Sequence, residues 1–131
     1  MLKKPFIFTD PLEAYKGSYF SETLVWESNA VAVNLTGYTF QGKFRDGYGG
    51  SVIKEITTSN GGIVVTALEG KVELILQIAD TDLFEVPLLQ TKLTDIPYRD
   101  YTFDIDAIPP DTTKRFQFAK GVLRVYAENT R

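Results

Sequence analysis

The chain contains neither cysteine nor histidine. Without cysteine there is no disulfide framework and no thiolate metal site, so stability must come from packing. Without histidine the commonest general base and the commonest metal ligand are gone. Nucleophilic systems of the Ser/His/Asp and Cys/His kinds are excluded by composition. Apolar runs are short, and none approaches the ~20 residues that span a bilayer, so no membrane partner is expected. Basic residues are few and scattered: 14 Lys and Arg stand against 17 Asp and Glu, a net charge of -3. Nucleic-acid binders present a basic patch or stripe, and none is legible here, so no nucleic-acid partner is expected.

What remains is a chain of 131 residues, the length of one domain, with 44% hydrophobic residues. A chain of this size buries roughly two thirds of the surface its unfolded form exposes, enough for a core without covalent staples. The opening "MLKKPFIFTD" has a charged start but only three apolar residues before Thr9 and Asp10. That is too short for a secretory signal, which implies synthesis in the cytoplasm.

Period two dominates the chain. "SETLVWES" places Leu24 and Trp26 on one face and Thr23 and Val25 on the other. "VAVNL" at 31–35 is a short β-rich run. From Tyr38 to Arg45 the alternation is cleanest, with Tyr38, Phe40, Gly42 and Phe44 opposed to Thr39, Gln41, Lys43 and Arg45. Gly42 breaks the aromatic series and marks a bulge or a close backbone approach. "RDGYGG" reads as a hairpin loop, since Asp-Gly and Gly-Gly accept positive φ at little cost. "SVIKEITT" returns as the partner strand, and Asn60-Gly61 in "SNGG" is the strongest turn signal in the chain. In "KVELILQI" the series Val72, Leu74, Leu76, Ile78 opposes Lys71, Glu73, Ile75, Gln77.

The pattern changes at "DTDLFEVPLL", where Asp80 is a candidate N-cap and Pro87 stops a helix early. One helical turn or a crossing loop is expected there, followed by an irregular stretch to about Pro97. Alternation resumes in "RDYTFDID", with Tyr101, Phe103 and Ile105 on one face, and "IPPDTTK" is a loop because two prolines refuse a sheet interior. "RFQFAKGVLRVYAENTR" gives a last strand or a bent pair, with Lys120-Gly121 a candidate bulge that swaps the buried face.

About seven to nine short strands, with turn signals every 8–12 residues and at most one short helical turn, predict an all-β fold. The expected architecture is an antiparallel β-sandwich, immunoglobulin-like or related. A parallel sheet is disfavoured because no βαβ spacing appears. Residues 1–12 read as an N-terminal arm, with Pro5 and Pro11 bracketing "FIFTD", and residues 13–131 as the single β-sandwich domain.

Chemistry-bearing motifs are weak. "FRDGYGGS" has glycines but lacks a following Gly-Lys-Ser/Thr, and it joins two strands where a phosphate loop needs a strand and a helix. Asp80, Asp82, Asp104, Asp106 and Asp111 are hard oxygen ligands, yet no twelve-residue calcium-loop spacing appears. Solvated strand faces and loop caps account for these acids equally well. No local context singles out a carboxylate pair of the glycosidase kind. Asn34-Leu35-Thr36 fits a glycosylation sequon, which has meaning only on a secreted eukaryotic chain. Tyr15, Tyr19, Phe20 and Trp26 would suit a sugar or peptide groove, although filling a β core is the simpler use of such rings. Phe6, Ile7 and Phe8 are the candidate partner-contact residues: they either pack back on the sheet edge or reach a neighbour by strand addition. No catalytic, cofactor-binding or metal-ligating residue is assigned, and no cofactor is expected.

The order "NLTGYTFQGKFRD", "IKEITTSNGGI", "GKVELILQIADTDLFEVPL", "YTFDIDAI", "GVLRVYAENTR" resembles a type of small tailed-bacteriophage protein. In particular it is similar to the N-terminal β-sandwich domain of phage baseplate upper proteins, over roughly residues 15 to 131. That type commonly closes its last strand on Val-Thr-Arg, where this chain has Asn129-Thr130-Arg131. The resemblance implies a non-enzymatic structural protein of a virion, in the tail, baseplate or fibre attachment. Its implied partners are other virion proteins in a symmetric multi-copy assembly. Two alternatives stand beside it: a decoration protein on the capsid surface, and a carbohydrate-binding module for host glycans. The glycan reading predicts exposed, coplanar aromatics on one face, and a buried Trp26 speaks against it.

Overall fold

The computed structural model describes residues 6–47, 49–86 and 97–127. The described chain is mostly β, arranged in several sheets with antiparallel pairing dominant. Eleven strands occur among the described residues: β1 (Phe6–Ile7), β2 (Leu12–Tyr15), β3 (Phe20–Val25), β4 (Glu27–Ser28), β5 (Val31–Ala32) and β6 (Thr39–Arg45), then β7 (Val52–Thr57), β8 (Ile63–Thr66), β9 (Lys71–Leu76), β10 (Tyr98–Ile108) and β11 (Phe116–Tyr126). The count exceeds the expected seven to nine because three strands are only two residues long. A single α turn, α1 (Ile78–Thr81), is joined by two 3₁₀ turns at Ala67–Glu69 and Thr112–Lys114. No helix among the described residues is long and apolar enough to cross a membrane.

A six-stranded sheet runs β1-β11-β10-β6-β7, with β2 also pairing β11. A three-stranded sheet runs β3-β9-β8, and β4 and β5 form a small hairpin. Alternation decides which side chains go inside. Phe40, Gly42 and Phe44 of β6 are buried, as are Val72, Leu74 and Leu76 of β9, and Tyr101, Phe103, Ile105 and Ala107 of β10. These, with Phe20, Leu24 and Trp26, belong to one contiguous core fed by both larger sheets. Gly42 is the close approach its position suggested. A Cβ there would lie 2.7 Å from Ile105 Cδ1 and 3.2 Å from Ile56 Cγ1.

Both turn signals are real, but they do different things. The 45–50 loop closes the β6–β7 hairpin, with Asp46 N–H donating to Ser51 O (2.9 Å). Asn60 instead carries the chain from one sheet to the other, since β7 pairs β6 while β8 pairs β9. Its side-chain oxygen accepts from Thr57 N (2.9 Å) and Gly62 N (2.8 Å), and its amide donates to Glu55 O (3.0 Å).

Three local expectations shift by a residue or more. Asp80 is not the N-cap of α1; Gln77 is, and the Asp80 carboxylate accepts from Gln77 N–H at 2.8 Å from inside the first turn. Ile78 leaves the buried series of β9 because it opens α1, and it is exposed. The face swap in β11 falls at Phe118-Ala119, both buried, where the register against β10 slips opposite Ile105/Asp106. The Lys120-Gly121 pair lies beyond it in regular register with Asp104 and Phe103.

The large sheet also contains two parallel pairs, β1 and β2 against β11. Parallel pairing needs a long crossover. Here the crossover is nearly the whole chain, so the absence of βαβ spacing did not forbid it. The arm boundary drawn after residue 12 therefore falls inside β2. The irregular segment read between Pro87 and Pro97 lies outside the described residues except for Pro97 itself.

Candidate functional site

The outward face of the six-stranded sheet carries the most organised exposed side chains. At one end β10, β11 and β2 run side by side, with Tyr98 opposite Tyr126 and Tyr126 opposite Tyr15. Side chains directly opposite in a ladder share a face, so the three phenols form one cross-strand row. Ring centroids are 5.6 Å apart for Tyr98–Tyr126 and 5.4 Å for Tyr15–Tyr126. Tyr98 and Tyr15 remain 46% and 43% exposed.

The adjacent outward row is charged: Asp100, Arg124 and Glu13. Arg124 grips Asp100 through two bonds, Nε to Oδ1 at 2.8 Å and Nη2 to Oδ2 at 3.2 Å. Its guanidinium also lies over the Tyr98 ring, 4.1 Å from the centroid. Tyr126 donates its hydroxyl to Glu13 at 2.7 Å. The Asp100 carboxylate, through its hydrogen bonds, pushes the Arg124 pKa further above its already high ordinary value. The Glu13 hydrogen bond and burial raise that of Tyr126. A face whose side chains hold one another loses little conformational entropy when a partner covers it.

Arg99, on the opposite parity, points where the core gives out. It binds both carboxylate oxygens of Asp46 at 2.7 Å, tying β10 to the β6–β7 loop. Tyr101 beside it is buried and donates its hydroxyl to Glu85 O. Burial pushes the Tyr101 phenol above the ordinary tyrosine range, with Arg99 partly opposing. A raised folded pKa contributes stability that is full below the unfolded value of about 10 and is lost as pH rises through the folded value. Urea midpoints measured from neutral to strongly alkaline pH should therefore fall in the wild type above about pH 10. Tyr101→Phe should flatten that fall; an unchanged slope would refute the assignment.

The arm residues take their places on the sheet edge. Phe6 and Ile7 form β1 against Ala119 and Lys120. Phe8 donates its N–H to Lys120 O at 3.1 Å and sets its ring 5.8 Å from that of Phe103. Ile7 is left 60% exposed. Of the proposed aromatic groove, Trp26 is buried at 9% exposure among Tyr38, Phe116 and Phe118, and Phe20 is buried too, while Tyr15 and Tyr19 are exposed. The four rings do not form one groove.

The singled-out acids are dispersed. Asp80 meets Lys54 at 3.1 Å, Asp82 meets Lys16 at 3.7 Å, and Asp106 meets Arg115 at 2.9 Å. Asp111 caps the 112–114 turn by accepting from Thr113 N–H (3.1 Å) and Oγ1 (2.6 Å), which lowers its pKa. Asn34 turns its side-chain oxygen onto Thr36 N–H and Oγ1, an Asx turn within the sequon. Among the described residues no group of three or more acids, Cys or His is placed to hold a metal ion.

Sequence reasoning missed the tyrosine row. Each ring sits at the end of an alternating run, but what unites them is the β10–β11–β2 register, and half of that register is parallel. No protein-family model matches this chain, and neither does any curated protein.

Proposed function

We propose that the chain is a structural, non-enzymatic protein of a tailed-phage particle, a tail, baseplate or fibre-attachment component that acts by packing against other virion proteins. Its fold in this reading is an antiparallel β-sandwich, the six-stranded and three-stranded sheets facing each other across the shared core. The phage setting rests on the resemblance of the "NLTGYTFQGKFRD" to "GVLRVYAENTR" series described above. The observation that carries an assembly role is the Tyr98–Tyr126–Tyr15 row, backed by the Arg124–Asp100 fork. Tyr and Arg are the side chains that most often dominate protein interfaces, and they do so where neighbours hold them in place. A symmetric, multi-copy arrangement multiplies modest contacts of this kind into a durable attachment.

The test is made on purified particles. Quantitative mass spectrometry should find the chain in multiple copies per particle. The double variant Tyr126→Ala with Arg124→Ala should weaken attachment by about 30-fold or more, the effect of losing ~2 kcal/mol at a hot spot. Both side chains lie on the outer face, so the variant should keep the wild-type circular dichroism spectrum. Purified particles without the chain would overturn the reading, and undiminished incorporation of the variant would remove the tyrosine row from it.

A further inference from the structure

At the other end of the same outward face the surface is concave. A depression of about 270 Å³ is lined by Arg45, Gly49, Thr102, Phe103, Asp104, Gln117 and Lys120. A smaller one of about 100 Å³ shares Arg45 and Asp104 with it and adds Lys43 and Arg115. The register explains the convergence. Asp104 on β10 stands opposite Lys43 on β6 and Lys120 on β11, so a carboxylate is flanked by two ammonium groups across one row.

None of these three side chains makes an ion pair or side-chain hydrogen bond among the described residues. Arg115 is already committed to Asp106 and to Gln41. Arg45 spends one donor on Gly50 O (3.2 Å) and is thereby anchored to the hairpin loop at the rim. A guanidinium has five N–H donors, so about four remain for a ligand in the depression that Arg45 lines. The larger depression thus has two cations, Arg45 and Lys120, and one acid, Asp104, with Lys43 in the smaller one beside it, in a protein whose net charge is -3.

We infer that this depression binds a small saccharide bearing an anionic group, a carboxylate or a phosphate on a hydroxylated ring. The anion sits between Arg45 and Lys120, where charge-assisted hydrogen bonds are strongest. Asp104 discriminates. An ionised carboxylate only accepts hydrogen bonds, so it repels a bare anion and needs a ligand that donates, as ring hydroxyls do. Gln117 and Thr102 offer both donors and acceptors for further hydroxyls. An acidic peptide would have to turn a backbone N–H to Asp104, whereas a sugar ring carries its hydroxyls beside the anion. The volume lies just under the lower bound of ordinary small-molecule pockets, ~300 Å³, which suits one sugar ring.

The experiment is a titration of the full chain followed by amide chemical shifts, with four probes: glucuronate, glucose 6-phosphate, glucose and inorganic phosphate. At least one of the two sugar acids should bind saturably in the millimolar range and move the amides of Thr102, Asp104, Gln117 and Lys120. Which of them binds more tightly names the anion. Glucose and inorganic phosphate should each bind about tenfold more weakly or worse. Lys120→Gln and Asp104→Asn should each cut affinity for the preferred probe about tenfold, and added salt should weaken it. The unliganded spectrum of each variant shows directly that it is folded. Equal binding of inorganic phosphate, or indifference to Asp104→Asn, would reduce the site to a bare cationic patch and overturn the inference. Equal binding of glucose, or no saturable shift with any probe, would overturn it as well. The tyrosine row lies in different cross-strand rows of the sheet, so failure here leaves the assembly reading standing.

Discussion

Phe44→Ala should lower the free energy of unfolding by about 3–5 kcal/mol, a large part of the ~5–15 kcal/mol available to a domain of this kind. Phe44 is 1% exposed, one residue before the end of β6. Its ring meets Phe84 edge-on at 5.8 Å and Phe103 at 5.7 Å, and Phe84 in turn meets Tyr101 edge-on at 4.9 Å. The four rings therefore join the middle of the large sheet to the segment that follows α1. Truncation removes the keystone of that group and opens a cavity between groups already held by hydrogen bonds. Lys16 Nζ donates to Phe84 O at 3.0 Å, and Tyr101 donates to Glu85 O. Collapse into the gap is hindered, which puts the loss toward the upper end of the range. Urea unfolding of the two proteins measures it; a loss below about 1 kcal/mol would mean that the ring cluster does not hold the layers together.

Gly70→Ala should be nearly as damaging, for a different reason. Gly70 has φ +63, and a left-handed conformation costs a non-glycine residue about 1–2 kcal/mol. A Cβ there would also lie 2.5 Å from Trp26 O, 3.1 Å from Val33 O and 3.2 Å from Val33 N. All three are backbone atoms, so no side chain can swing aside. Relief would require moving the backbone segments that Trp26 N–H to Gly70 O (2.8 Å) and Val33 N–H to Trp26 O (2.9 Å) hold together. Overpacking of that sort adds about 1–3 kcal/mol. Gly61→Ala is the control: φ is +82 there, but nothing lies within 4 Å of the added carbon. The difference between the two variants isolates the clash. Trp26 is the chain's one tryptophan, so its fluorescence reports the disturbance at its source. Equal destabilisation by both variants would show that the backbone yields.

The parts of the fold that were readable beforehand are those governed by period two alone. β6, β9 and β10 bury the residues their alternation named, and Trp26 goes inside with Leu24. Turn chemistry at Asp46-Gly47 and Asn60-Gly61 was equally local. What escaped depends on partners distant in the chain. Asn60 makes the same turn whether its flanking strands pair with each other or, as here, belong to different sheets. The Phe118-Ala119 slip is visible only against β10. The Tyr98–Tyr126–Tyr15 row and the Lys43–Asp104–Lys120 row are both products of register across three strands. Neither has any signature in a window of ten residues.

The placement of β1 and β2 beside β11 has a temporal consequence. A ribosome makes the first strands of the large sheet long before their neighbour exists, and pairings between such distant segments close slowly. Leu12 and Ala14, which end beside Leu123 and Val125, must wait with their apolar side chains in water until β11 emerges. During that interval these two side chains are open to mispairing with whatever apolar surface comes near.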